Sequence, residues 1–268
     1  MSIQSTIKQT TITQILEKKN KEKITMITAY DALFAGIFDS EVDMILVGDS
    51  LHMSFFGAKD TLGIGLDEMI YHTKAVCNGA KQSLIVCDMP FGSVVTPEIA
   101  LQGAIRIYKE TNAQAVKIEG GAEMHETIRK LVENGIAVMG HIGLKPQLVR
   151  SEGGYKVKGK SEREAQELLC DAIKLQEAGA FCLVLEGVKS EVGQVITQNL
   201  KIPVIGIGSG VNVDGQVLVW SDMLGFFEAF KPKFVRQYLE GAKLVREAVQ
   251  QYVKDVKNGD FPKINESY

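Results

Sequence analysis

Four acidic residues stand directly behind apolar, β-branched runs: Asp49 after MILVG, Asp88 after LIVC, Glu119 after AVKI and Glu186 after FCLVL. A single carboxylate in such a place most often caps the helix that follows. Three brought together repel one another and raise one another's pKa, which a cation would relieve. Asp49, Asp88 and Glu119 offer only oxygen, and that donor set suits magnesium or manganese better than zinc, with water and substrate oxygens completing the shell. Glu186 has the more apolar approach, which would desolvate its carboxylate and raise its pKa toward the range of a general base.

Basic and neutral donors accompany the acids. Lys117 lies two residues before Glu119, so on one strand both side chains share a face. Its ammonium would hold a substrate carboxylate or developing negative charge, or else simply pair with a neighbouring acid. His141 in GHIG, Ser50, and the backbone N–H groups from Asp49 to Leu51 are placed to donate to substrate oxygens, although His141 equally suits a satisfied core histidine. His72 and His125 lie in helix-like stretches expected to face solvent, and with His52 they stand outside the expected site. The run Gly206 to Gly210, GIGSG, could cradle a phosphate on its backbone or serve only tight turns and close packing.

Positioning these groups requires strands. Short apolar runs alternate with segments of helical period, the pattern of βα units around a parallel sheet buried on both faces. Strands are expected at 24–29, 44–50, 84–90, 115–120, 137–143, 181–187, 203–210 and 216–222. Stretches such as PEIALQGAIRIYKETN and SEREAQELLCDAIKLQEAG supply the crossover helices. Eight βα units in a chain of 268 residues predict a (β/α)₈ TIM barrel, with a doubly wound open sheet as the alternative. In a barrel the active site is built at the C-terminal ends of the strands, where these acids fall. An N-terminal helix over 11–19 and a long C-terminal helix over 233–257 flank the repeat, and no linker divides the chain, so one domain, 1–268, is expected. The Gly-rich, basic connection GYKVKGKSERE after the fifth strand is suited to cover a site.

Composition narrows the function classes. A net charge of -3 with acids and bases interspersed excludes a surface for nucleic acid. No stretch is apolar enough to cross a membrane and no apolar signal core opens the chain. Cys77, Cys87, Cys170 and Cys182 form no CxxC pair and no zinc pattern, which fits reduced thiols in the cytoplasm. Small-molecule substrates are the expected partners.

The blocks VGDSL, DMPFGS, VKIEGG, GHIGLKPQ, GYKVKGK, PVIGIGSG and DGQVLV occur in an order similar to that of the ketopantoate hydroxymethyltransferase family, from Ile24 to Phe230. The resemblance implies a barrel of the phosphoenolpyruvate/pyruvate-binding type that transfers a one-carbon unit from 5,10-methylenetetrahydrofolate to 3-methyl-2-oxobutanoate, giving ketopantoate at the first committed step of pantothenate synthesis. It implies one magnesium per subunit at Asp49, Asp88 and Glu119, and an oxo acid bound by Asp49, Ser50, Asp88 and Lys117 with His141 lining the pocket. Glu186 would take the proton, so that an enolate stabilised by the metal attacks the folate carbon, and the subunits would assemble as a homodecamer. The chain departs from the family pattern at His52, where a small residue or Asn is usual, after Glu186, where Gly-Val-Lys stands, at Ser209 in place of Ala, and at Trp220-Ser221 in place of a His-Asp pair. These departures bear on the folate side more than on the metal side. Two other readings fit the residues: a metal-dependent 2-oxo acid aldolase or lyase with another electrophile, and a non-catalytic phosphate-binding barrel.

Overall fold

The computed structural model describes residues 8–228 and 231–268, which divide into two compact units at Val219 and Trp220. In the first, helix α1 (Ile12–Glu17) precedes a repeat of strands and helices: β1 (Ile24–Thr28), α2 (Ala32–Phe38), β2 (Met44–Val47), α3 (Leu51–Ser54), α4 (Leu66–Gly79), β3 (Leu84–Asp88) and α5 (Pro97–Glu110). It continues through β4 (Ala115–Glu119), α6 (His125–Glu133), β5 (Val138–Gly143), α7 (Glu162–Glu177), β6 (Cys182–Glu186), α8 (Ser190–Asn199), β7 (Val204–Ile207) and β8 (Gly215–Leu218). All eight strands pair in parallel in sequence order, and β8 returns to β1 with Ile24 opposite Gly215, so the sheet is a closed barrel and the open-sheet alternative is excluded.

The barrel interior follows from the period of two along each strand. Leu84 and Val86 lead to Asp88, Ala115 leads to Lys117 and Glu119, Met139 leads to His141, and Cys182 and Val184 lead to Glu186. The apolar members form one core cluster with Met26, Met44, Leu46, Ile205, Ile207 and Val217. Ile15 of α1 belongs to the same cluster, with Ile12 packed against it. Thus in β3, β4, β5 and β6 the inward face is apolar toward the strand's start and ionisable at its end. The intervening residues, such as Val116 and Ile118, are fully buried and face outward beneath the helices.

Local chemistry sets the helix starts. Thr96 caps α5, accepting a hydrogen bond from Ile99 N at 3.3 Å, and Pro97 occupies the first turn, where no N–H is needed. Ser161 caps α7, accepting from Glu164 N at 3.2 Å. The expected N-terminal helix is present and shorter, because Thr11 is its cap in a reciprocal capping box with Gln14.

Other expected spans differ as well, the seventh strand stopping at Ile207. The second strand stops at Val47, since Leu51 N and His52 N turn back to Gly48 O and Asp49 O and begin α3. The eighth stops at Leu218; Trp220–Met223 form a short helix, α9, opening the second unit, with Leu224 N donating to Trp220 O. The C-terminal helix, α10, spans Gly241–Asn258 instead of starting near 233. Tyr238 N and Gly241 N donate to Met223 O and Leu224 O, so tertiary bonds replace the i to i−4 ladder there. α10 ends at Gly259, whose left-handed φ of 74° closes the helix. Among the described residues no helix is long and apolar enough to cross a membrane.

Candidate active site

Strand register assembles the site. Asp88 lies opposite Lys117 across β3 and β4, Glu119 opposite His141 across β4 and β5, and Gly143 opposite Glu186 across β5 and β6. Lys117 Nζ stands 3.1 Å from Asp88 Oδ1 and 3.9 Å from Glu119 Oε1, and 3.1 Å from His141 Nδ1. His141 Nδ1 is also 3.4 Å from Glu119 Oε1, and its Nε2 is 3.3 Å from Glu186 Oε2. Asp49, one residue past the glycine that follows β2, joins through its backbone N–H, which donates to Asp88 Oδ2 at 3.0 Å. Five of the expected site residues therefore form one connected network around Lys117, and Asp49 is tied to it through Asp88.

The seventh expected site residue, Ser50, sits at its edge, half-buried, with its hydroxyl 2.8 Å from the Tyr30 hydroxyl. Tyr30 is fully buried just beyond the end of β1. An aromatic alcohol at a strand's C-terminal end was the signal for it, had the strand-end rule been applied to β1 as to the others. Gly143 is required where it stands: its φ is +98°, and a Cβ would lie 2.3 Å from the Glu186 carbonyl oxygen.

Burial and charge divide the acids. The side chains of Asp88, Lys117, Glu119 and His141 are at most 4% exposed, whereas that of Glu186 is 18% exposed and opens toward solvent. The desolvation expected for Glu186 is thus only partial, because its apolar run packs the strand behind it and leaves the carboxylate at the rim. Burial, then the negative charges of Asp88 and Glu119, push Asp49 well above the ordinary carboxylate range. Burial also raises Asp88, against the pull of Lys117 and the Asp49 N–H. For Glu119 burial acts upward, but His141, Lys117 and the Gln147 N–H prevail and lower it. Lys117 is held above its normal range: burial opposes its charge, and Asp88, Glu119 and Asp49 overcome it. His141 is raised to about 9, with burial and Lys117 acting against the charge and Glu119 and Glu186 outweighing them.

Gln147, which sequence reasoning passed over inside the GHIGLKPQ block, is buried in the short turn Pro146–Leu148 after β5. Its amide Nε2 donates to Asp49 Oδ2 at 2.8 Å and to Met89 O at 3.0 Å, and its backbone N–H donates to Glu119 Oε2 at 3.1 Å. The same connection reaches over the mouth: Arg150 grips Asp60 Oδ2 through Nε and Nη2 at 3.1 and 2.9 Å, and the Tyr155 hydroxyl points at Met53 Sδ.

Other expectations change. Asp49 N and Leu51 N are engaged by Asp88 and Gly48 O, so they are not free for substrate. His72 does not face solvent; it is half-buried and its Nδ1 lies 2.6 Å from Tyr30 O. His52 stacks on Phe56 at 5.0 Å. The GIGSG run packs against protein: a Cβ at Gly210 would be 2.5 Å from Ser190 Cβ, and one at Gly206 2.9 Å from Val213 Cγ2. Buried Ser209 donates to Leu185 O at 2.7 Å and accepts from Val188 N at 3.3 Å, bracketing Glu186.

Four carboxylates thus face one ammonium and one imidazole, leaving negative charge uncompensated. Asp88 Oδ1 is buried without an aligned hydrogen bond. Both facts fit a divalent cation near Asp49 and Asp88, since magnesium is commonly held by one or two carboxylates plus water and substrate oxygens. Among the described residues no three His, Cys, Asp or Glu side chains gather as a ready ligand set, because Glu119 is turned to Lys117, His141 and Gln147 N.

A closed (β/α)₈ barrel with acids, an ammonium and an imidazole converging at the strand ends defines an α/β-barrel enzyme. Its fold is similar to that of 2,3-dimethylmalate lyase, a PEP mutase/isocitrate lyase superfamily member, with a TM-score of 0.63 and 16% identity over 90% of this chain and 86% of that one. Phosphonopyruvate hydrolase, solved with oxalate and Mg, aligns with a TM-score of 0.62 and 9% identity over 95% and 92% of the two chains. The chain belongs to the ketopantoate hydroxymethyltransferase family, whose model matches residues 9–264. It is 68% identical over 262 residues to the 3-methyl-2-oxobutanoate hydroxymethyltransferase of Wolinella succinogenes, covering 98% of this chain and 100% of that protein. Identity to the enzyme of the same name from Aliarcobacter butzleri is 58% over 266 residues, 99% of each.

Proposed function

We propose that the barrel mouth binds 3-methyl-2-oxobutanoate and transfers to it a hydroxymethyl group from 5,10-methylenetetrahydrofolate, giving ketopantoate, the first step of pantothenate biosynthesis. The observation that carries the assignment of roles is the contrast in exposure: Glu186, 18% exposed, faces the mouth, while the other network groups lie beneath it. Glu186 removes the proton from the carbon next to the ketone, that carbon bonds to the methylene carbon of the folate, and water supplies the hydroxyl as tetrahydrofolate leaves. His141, 3.3 Å from Glu186 Oε2, holds the carboxylate in line and offers it a charged partner.

Asp49 and Asp88 would hold one magnesium per subunit, with Glu119 beside them. When bound, magnesium polarises the ketone and acidifies the adjacent C–H. Lys117, already 3.1 Å from Asp88, attracts the substrate carboxylate, and Ser50, fixed by Tyr30, donates to it from the edge. The four free cysteines suit a reducing cytoplasm, and the family's decamer is the assembly we propose.

Exchange of the oxo acid's C–H proton into deuterated water tests the reading. The wild-type protein should exchange it in the presence of magnesium, and Glu186→Gln should lose exchange while retaining oxo-acid binding. A variant exchanging at the wild-type rate removes Glu186 as the base, and a folded wild type without exchange at saturating magnesium and folate removes the enzymatic mechanism.

A further inference from the structure

We infer that Gln147 is a positioning residue for the Asp49 carboxylate, fixing it in the orientation in which Asp49 and Asp88 share a cation. This rests on the cation reading above. Asp49 follows β2 in a turn, so no strand pairing holds its side chain. Among the hydrogen bonds described for its carboxylate, the contact that orients it is Gln147 Nε2 to Oδ2, at 2.8 Å.

The donor is itself well held. Its second N–H is taken by Met89 O at 3.0 Å, its backbone N–H by Glu119 Oε2 at 3.1 Å, and the residue is 6% exposed. One residue from the loop after β5 therefore spans the ends of β2, β3 and β4. A neutral amide is the suitable chemistry. It stabilises a carboxylate crowded by Asp88 and Glu119 and leaves Oδ1 available, whereas a lysine there would neutralise the charge that attracts the cation.

Gln147→Met keeps the side-chain length and the backbone N–H while removing the amide, and two measurements read the result. In metal-free crystals the Asp49 carboxylate should turn away from its wild-type position while Lys117 stays on Asp88. In a Mn²⁺ titration followed by water-proton relaxation, affinity should fall by about 10–100-fold, the usual effect of losing a group that orients a metal ligand. A Gln147→Met protein with Asp49 unmoved and Mn²⁺ affinity within about twofold of wild type, well short of that range, overturns the inference. If the wild type itself takes up no Mn²⁺, the cation reading falls and the crystal comparison alone decides whether Gln147 positions Asp49. Should Gln147→Met fail to fold, Gln147→Asn, which keeps the amide one methylene short of Asp49, is read in the same two ways.

Discussion

Replacing Lys117 by Met tests whether the buried network is held together by charge. The ammonium lies 3.1 Å from Asp88 and 3.9 Å from Glu119, with its side chain 4% exposed. At an effective dielectric of about 20 those separations correspond to gross attractions of about 5 and about 4 kcal/mol. Much of this is offset by the cost of desolvating the ammonium, and part by its proximity to His141, whose Nδ1 is 3.1 Å away. Methionine fills the stem volume but strands two carboxylates, and removing one partner of a buried pair costs about 3–5 kcal/mol. Relief of the Lys117–His141 repulsion puts the expectation at the lower end, about 3 kcal/mol. Urea unfolding in EDTA at neutral pH, with the slope preserved, measures it. A loss below about 1 kcal/mol, the range of exposed pairs, would mean that water or relaxation already screens the cluster.

Asp39 offers a second test, away from the mouth. Its carboxylate accepts from Lys81 N at 2.7 Å, and from Gln82 N and Ser83 N at 2.8 Å, tying the end of α2 to the entry of β3. Asp39→Ala should cost about 2–4 kcal/mol, since solvent at the rim recovers part of the loss of hydrogen bonds to a charged group. Burial pushes the Asp39 pKa up, but these N–H donors prevail and lower it. Its contribution is therefore full above the unfolded value of about 3.9 and is lost as pH falls through the lower folded value. The gap between Asp39→Ala and wild type in urea midpoint should shrink below pH ~4, and an unchanged gap in acid would refute the charge-based account. Ser209→Ala should reduce stability by about 1–2 kcal/mol by leaving the Val188 N–H unpaired. It should leave turnover nearly unchanged, because Gly187 N on Ile207 O and Leu144 N on Glu186 O, both at 2.8 Å, hold Glu186 without it. A large fall in kcat at constant thermal stability would contradict that division of roles.

The period-two pattern made the strands legible, and with them the positions of Asp88, Lys117, Glu119, His141 and Glu186, because inward-facing residues recur two apart whatever the neighbouring strand does. Pattern reading failed where the backbone has a tertiary alternative. At 216–222 and 233–240 the residues favour strand and helix, yet Tyr238 N and Gly241 N find carbonyls at Met223 and Leu224. His72 was misplaced for the same reason: helical spacing says which side faces out, but not that a strand-end carbonyl at Tyr30 is within reach.

Residue type and spacing by themselves determined the eight βα units, the placement of the acids at strand ends and the resemblance of the ordered blocks to a family. Closure of the barrel decided the rest. Only with β3, β4, β5 and β6 in register does Lys117 come to lie between Asp88, Glu119 and His141, and only then does Glu186 remain at the rim while the others are sealed. Gln147 is the clearest case: it stands 98 positions along the chain from Asp49, and nothing local to either residue specifies their hydrogen bond. The physical reason is that strand period is a property of the local backbone, whereas desolvation and charge pairing depend on which distant groups the closed sheet brings within a few ångströms.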